Sequence, residues 1–319
     1  MKHFIVLVCL LPGLFFRPAQ AGEESQLEMQ PARVSDHVWY VRGKPGTATE
    51  NEGFISNAGF IVTGDGVVVF DALGTPVLAQ MLLARIRDIT EEPVKMVIVS
   101  HYHADHIYGL QVFKEAGAKI LAPAGAQEYL NSVAAEELLQ ERRINLSPWV
   151  NDQTRLVAPD RYLKENEKFR LGDVDFTLTM LGSAHSEGDL TLYVEPDRVL
   201  FSGDVIFDGR IPWLGDADTR NWLETLRMIE KSHPAEIIPG HGSLSSNPGQ
   251  LVKLTSDYLA FLRQKMQQAV DNWQPFDEAY DNIDWGDWEY LPAFFEANRK
   301  NAYQIYLSLE QESLKAEEK

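Results

Sequence analysis

Cysteine is almost absent from this chain: of 319 residues only Cys9 carries a thiol, and it lies inside the first apolar run. That run opens on Lys2 and His3, continues through Phe4–Phe16 and closes on Ala19-Gln20-Ala21. A positive start, an apolar middle and a small-x-small end are the parts of a secretory signal peptide. Cleavage after Ala21 would leave a mature protein starting at Gly22, with no disulfides even in an oxidising compartment and no thiolate for a metal. The apolar run is broken by Pro12-Gly13 and falls short of the roughly 20 residues that span a bilayer. No later stretch is long and apolar enough either, so no membrane association is expected after cleavage. Positive charge is the second scarcity. There are 29 Lys and Arg against 47 Asp and Glu, a net charge of −18, and losing Lys2 and Arg17 with the leader makes the balance more negative. Such a surface repels phosphate backbones, which argues against a nucleic-acid partner. Internal repeats are also lacking, and the length suits one large α/β domain at 22–249 with an extension at 250–319.

What is present reads first as strands. Val38–Arg42, Gly59–Thr63 and Val67–Phe70 are β-type runs, the last two flanking the turn Gly64-Asp65-Gly66. Apolar residues at helical spacing over Pro76–Ile89, with Thr75 as N-cap and Pro76 at the first position, predict a helix. Val94–Val99 predicts a buried strand. A histidine-rich loop follows, then a helix to about Ala116, a strand at Lys119–Ala122 and one helix over Ala124–Arg143. Strands are expected from Phe169 to Leu181 with a turn at Gly172-Asp173, and at Leu190–Val194, Val199–Phe201 and Glu236–Ile238, with a helix at Arg220–Ile229. Two β-rich halves, each followed by helices, suggest two packed sheets with helices outside. After His241 long helices are expected at Gln250–Val270 and Ala293–Leu314, with Trp273, Trp285 and Trp288 between them gluing this extension to the sandwich.

The chemistry concentrates in Ser100-His101-Tyr102-His103-Ala104-Asp105-His106, directly after a hydrophobic strand. Imidazole and carboxylate are the donors a borderline divalent metal prefers. His101 and His103 can address one ion from an extended loop, while Asp105 and His106 are displaced towards a neighbouring one. Further candidates sit among small residues, each at the end of a strand: His185 in Gly182-Ser183-Ala184-His185, Asp204 in Ser202-Gly203-Asp204, and His241 in Pro239-Gly240-His241-Gly242.

Taken in order, Asp71, the HxHxDH run 101–106, His185, Asp204 and His241 resemble the five-motif signature of the metallo-β-lactamase superfamily over roughly residues 34–245. The resemblance implies an αββα sandwich with its metals at one edge. It implies that His101, His103 and His185 hold a first ion, that Asp105, His106 and His241 hold a second, and that Asp204 bridges them. Asp71 would brace the metal loop from behind. Two zinc ions are implied, with iron or manganese compatible with the same donors.

Two ions about 3.5–4 Å apart that share a water bring its pKa towards neutrality, so an ester, thioester, lactone or amide could be hydrolysed without a protein nucleophile. Asp105 would orient that nucleophile and shuttle its proton. An aspartate at 204 is typical of the glyoxalase-II-like hydrolases and lactonases, whereas zinc β-lactamases generally carry cysteine or serine there. The leader and the wording Asn57-Ala58-Gly59-Phe60-Ile61-Val62 look most like a periplasmic subgroup linked to sulfur oxidation and quinoprotein dehydrogenase systems. A zinc β-lactamase, a mononuclear iron dioxygenase of the persulfide type and a non-catalytic periplasmic accessory protein with a protein partner stay open. A small-molecule substrate is expected to meet the loops at 46–56 and 205–218, with Trp213 as an apolar contact. No Arg or Lys cluster marks an anion pocket along the chain.

Overall fold

The computed structural model describes residues 27–215 and 217–317. The expected leader lies outside the described residues, among which no helix is long and apolar enough to cross a membrane. Among the described residues, twelve strands form two sheets. The first holds, in spatial and chain order, β1 (Ala32–Arg33), β2 (Val38–Val41), β3 (Ala58–Val62), β4 (Val67–Phe70), β5 (Val94–Ile98), β6 (Lys119–Pro123) and β7 (Arg161–Leu163). The second holds β8 (Glu167–Leu171), β9 (Val174–Gly182), β10 (Asp189–Val194), β11 (Val199–Phe207) and β12 (Glu236–His241), again as chain neighbours.

The sheets bury their facing sides against each other. Ile61, Val68, Phe70 and Ile98 of the first meet Phe176, Leu178, Leu192 and Phe201 of the second. Central strands are covered on both faces and read as continuous apolar runs, Val67–Phe70 being buried throughout. In the second sheet β9 alternates, with Val174, Phe176 and Leu178 inward and Asp175 outward. On the far side of the first sheet pack α1 (Pro76–Ile89), α2 (Ala104–Ile107), α3 (Leu110–Glu115), α4 (Ala126–Leu130) and α5 (Val133–Asn145). On the far side of the second lie α6 (Thr219–Glu230), α7 (Pro248–Asp271), α8 (Phe276–Asp281) and α9 (Phe294–Glu317). The result is the αββα sandwich expected from the sequence. The start of α1 follows its sequence signals, since the Thr75 hydroxyl accepts from Leu78 N, a cap that contributes about 1 kcal/mol.

Several local expectations fail for identifiable reasons. Ala124–Arg143 is two helices rather than one, because Ser132 caps a new start by accepting from Ala135 N. Phe169–Leu181, by contrast, follows expectation: two strands turn at Gly172-Asp173. β11 does not stop at Phe201. It continues to Phe207 with its register to β12 broken on either side of Gly203, so Asp204 lies inside an irregular strand instead of beyond its end. In the tail, Trp285 and Trp288 pack on Phe261 and Trp288 on Tyr258, all within the extension itself, so these ring contacts hold its helices together instead of joining it to the sandwich, and Trp273 is 84% exposed.

Candidate metal centre

The strands of both sheets deliver polar residues to one edge of the sandwich: Asp71 after β4, the 101–106 segment after β5, His185 after β9, Asp204 within β11 and His241 at the end of β12. Two donor groups form there, one of His101, His103 and His185, the other of Asp105, His106, Asp204 and His241, with the ligand atoms of each group within 4.8 Å of one another. The histidine run is only half a loop. His103 is the N-cap of α2, so Asp105 and His106 ride on its single turn and fall in the second donor group.

In the first group His103 Nδ1 lies 3.0 Å from His101 Nε2 and 2.9 Å from His185 Nε2. Three ring nitrogens that face one another so closely cannot all be satisfied by protons, whereas a cation would take all three lone pairs. In the second group His106 Nε2 is 3.1 Å from Asp204 Oδ1, and both atoms are buried without a hydrogen-bond partner. His241 Nε2 lies 3.1 Å from Asp204 Oδ2 and 3.3 Å from Asp105 Oδ2. Asp204 Oδ2 is also 3.5 Å from His185 Nε2, so one carboxylate reaches both groups. The donor set fits two divalent ions, and the orphaned atoms are the ones such ions would satisfy.

Behind the donors sits a hydrogen-bonded frame. Asp71, at a φ of +63°, accepts from Ser100 N at 2.7 Å, Ser100 Oγ at 2.8 Å and His106 Nδ1 at 2.9 Å. Ser100 Oγ gives its only hydrogen to Asp71, so at 2.9 Å it must accept from His101 Nδ1. Asp71 thereby sets the tautomer of a histidine in each group and leaves both Nε2 atoms facing inward. His241 Nδ1 donates to Ile55 O at 2.7 Å, with the same consequence. Two glycines are steric requirements: a Cβ on Gly240 would meet Asp204 Oδ1 at 2.0 Å, and one on Gly203, whose φ is +55°, would meet Ser100 Cβ at 2.6 Å.

Residues that sequence reading passed over complete the frame. Asp189 folds the His185 loop by accepting from Ala184 N, Ser186 N and Ser186 Oγ at 2.7–3.1 Å. Burial pushes its carboxyl up to about 7 against those bonds. Asn57 Nδ2 donates to Pro239 O and Gly242 O, tying the first sheet to the His241 loop. An acid after a turn is too common in sequence to have marked Asp189, and the wording around Asn57 carried a resemblance without revealing this role.

Burial dominates the titration of His185 and His101, holding His185 down to about 3 and, with the charges of His106 and His103, His101 well below its usual value. In the second group burial opposes ionisation but loses to the carboxylates. Asp204 and Asp105 raise His106 well above its usual value, and Asp204 raises His241. The same attraction overrides burial at Asp204, through His241 and His106, and at Asp105, led by His106, holding both below the ordinary carboxylate range.

A cavity opens over the donors in two lobes that share His103, Leu138, His185 and Trp213. The expected loops reach it, through Thr47, Thr49 and Ile55 on one side and Phe207, Arg210 and Trp213 on the other. The helical tail also reaches it. Ala293, Glu296, Ala297 and Lys300 line one lobe, and Asn301 pins the Trp213 loop by donating to Pro212 O and accepting from Leu214 N. The extension is therefore a wall of the pocket as well as a cover. Cations that are scattered in sequence, Arg142, Arg210 and Lys300, meet in that same lobe, contrary to the expectation that no basic cluster marks a pocket.

Residues 51–241 match the family profile described as metallo-beta-lactamase superfamily, and the chain belongs to that superfamily. An acyl-coenzyme A thioesterase, MBLAC2 of Gallus gallus, is 27% identical over 175 residues, which cover 52% of this chain and only 62% of the thioesterase. The metallo-beta-lactamase IND-1 of Chryseobacterium indologenes is 24% identical over 246 residues, 76% of this chain and 90% of that enzyme. Among solved structures, the inverting sec-alkylsulfatase Pisa1 of Pseudomonas sp. superposes with a TM-score of 0.67 at 18% identity, covering 87% of this chain and 50% of Pisa1, a likeness of fold alone. Membership and the His/Asp cluster together point to a hydrolase that binds divalent metal.

Proposed function

We propose that this chain is an exported binuclear zinc hydrolase that cleaves an ester, thioester, lactone or amide bond. The observation that carries the reading is Asp204, whose one carboxylate stands 3.5 Å from a nitrogen of the first group and 3.1 Å from two of the second. His101, His103 and His185 would hold one ion, Asp105, His106 and His241 the other, and Asp204 both. Bound there, the ions would supply Lewis acidity and a water acidified towards neutral pH.

The chain's own residues then have defined tasks. Asp105, 20% exposed at its side chain and facing the cavity, would orient the attacking water and take, then return, its proton. Asp71 and Ser100 hold His101 and His106 in the tautomers that leave Nε2 free. Phe207 stacks on the His241 ring at 4.9 Å and Trp222 packs edge-on against His185 at 5.2 Å, which excludes water from behind the ligands. Trp213 would offer the substrate an apolar wall. The thioesterase relative supports a thioester substrate and the indologenes enzyme a β-lactam amide. Lys2 to Ala21 supports export to the periplasm or beyond.

A screen of zinc-restored protein against aryl esters, acyl thioesters, lactones and nitrocefin tests the proposal. Metal-dependent turnover of at least one class, lost in Asp204→Ser, is the expected result. Turnover that survives thorough metal removal would overturn it.

A further inference from the structure

Three histidines of the centre turn Nε2 inward and rest the other nitrogen on an oxygen: His101 Nδ1 on Ser100 Oγ at 2.9 Å, His106 Nδ1 on Asp71 at 2.9 Å and His241 Nδ1 on Ile55 O at 2.7 Å. His185 also turns Nε2 inward, to His103 Nδ1 at 2.9 Å, but its Nδ1 is buried with no hydrogen-bond partner among the described residues. We propose that Trp222 of α6 takes the place of that missing acceptor, as the positioning residue whose indole ring fixes the angle and tautomer of His185. This rests on the metal-centre reading above and says what keeps the first group in shape.

A histidine that ligates a metal ordinarily gives its far N–H to a carboxylate, carbonyl or water, which sets both tautomer and ring angle. The hydrogen bonds of the His185 loop hold only its backbone. Asp189 accepts from Ala184 N and Ser186 N, and Asn221 Nδ2 donates to Ser183 O at 2.6 Å and Leu181 O at 3.3 Å. The ring torsion is left free by these bonds, and for an imidazole it is broad and two-fold. Two aromatic rings confine it. Trp222 lies 5.2 Å from His185 with the planes at 70°, and Phe207 lies 5.6 Å away at 61°. Phe207 already has a face stacked on His241 at 4.9 Å. Trp222 is buried and cannot turn, because its indole N–H donates to Val205 O at 2.8 Å, beside Asp204 on β11. An N–H directed at an aromatic face makes a weak hydrogen bond, which favours the Nδ1–H tautomer where no oxygen competes. The helix beneath the ring is itself held. Asp218 caps α6 by accepting from Arg220 N and Asn221 N, and Arg263 of α7 donates to Thr219 Oγ1 at 2.7 Å. The helical extension thereby bears on the first group through α6.

NMR of zinc-restored protein, isotope-labelled in its histidine ring nitrogens, reads the contact directly, with the His185 signal assigned by its loss in His185→Gln. The Nδ1–H protons of His106 and His241 should lie downfield, as hydrogen-bonded imidazole protons do. That of His185 should lie well upfield of both, in the ring current of Trp222. Chelator competition on the variants gives the second arm. Trp222→Leu keeps apolar bulk without a ring and should weaken the first ion roughly tenfold or more while leaving the second within about threefold. Trp222→Phe restores a ring and should recover most of that loss. Equal weakening of both ions, or equal effects of the two substitutions, would make Trp222 a core residue only and overturn the inference. Should Trp222→Leu fail to fold, the proton of the wild type decides the matter: a His185 proton as far downfield as the others would overturn the inference. That result in a protein that binds two ions would sink this inference alone. An upfield His185 proton in a protein that binds a single ion would sink the binuclear reading alone.

Discussion

The two donor groups sit side by side yet are built on opposite principles. The first is three imidazoles, two of which burial holds neutral, His185 down at about 3 and His101 well below its usual value. The second mixes two carboxylates with two imidazoles that hold their protons above the usual range because Asp204 and Asp105 attract them. A metal arriving at the first group would meet His101 and His185 already uncharged. At the second it must displace protons, and it gains two negative ligands in exchange. On the binuclear proposal, one edge of the sandwich would carry a site ready to bind and a site whose binding is tied to pH.

The largest effect expected from breaking this contrast is at Asp204. Asp204→Ser removes the negative charge and the shared carboxylate, so the second ion should bind much more weakly and any hydrolytic turnover should fall roughly 10²-fold or more, measured by metal analysis and steady-state kinetics. Asp204→Cys should retain more metal than the serine variant, since thiolate is a good zinc ligand. Next comes Asp71→Asn, which disturbs one histidine in each group and should weaken metal affinity roughly 10- to 100-fold at both, as competition with a chelator would report. Unequal losses would show that only His106 depends on it.

The pH dependence sharpens the contrast further. His106 and His241 hold protons above their usual pKa, so metal uptake by the second group should release protons near neutral pH and strengthen as pH rises. His185 and His101 have already lost theirs, so affinity at the first group should stay flat down to mildly acidic pH. Calorimetry in buffers of different ionisation enthalpy separates the two, and equal proton release at both groups would remove the distinction. The smallest effect belongs to the tail. Asn301→Ala leaves the buried Pro212 O and Leu214 N unpaired and should lower stability by about 1–3 kcal/mol in a denaturant melt, with metal content unchanged.

The part of the centre legible in sequence was the part where rare residue types crowd together. The 101–106 run announces itself, and once it is found the sandwich, Asp71, His185, Asp204 and His241 follow in order. Hydrophobic period and cap chemistry gave the termini of α1 because Thr75 and Pro76 act locally. What stayed hidden depends on partners far along the chain. Arg210 is an unremarkable residue in Asp-Gly-Arg until the fold brings it into one lobe with Arg142 and Lys300. Lys300 reaches the cavity only because α9 packs on α7 and Asn301 holds the Trp213 loop. The break in the 124–143 helix turned on Ser132 outcompeting continued propensity, and the length of β11 on an irregularity at Gly203 that sequence read as an ending.

Zinc titrated into metal-stripped wild-type protein, followed by calorimetry near neutral pH, tests the paired centre most directly. Two ions per chain should bind, one with little proton release and one with marked release, and Asp204→Ser should lose mainly the latter. Saturation at a single ion per chain, unchanged by Asp204→Ser, would contradict the binuclear reading.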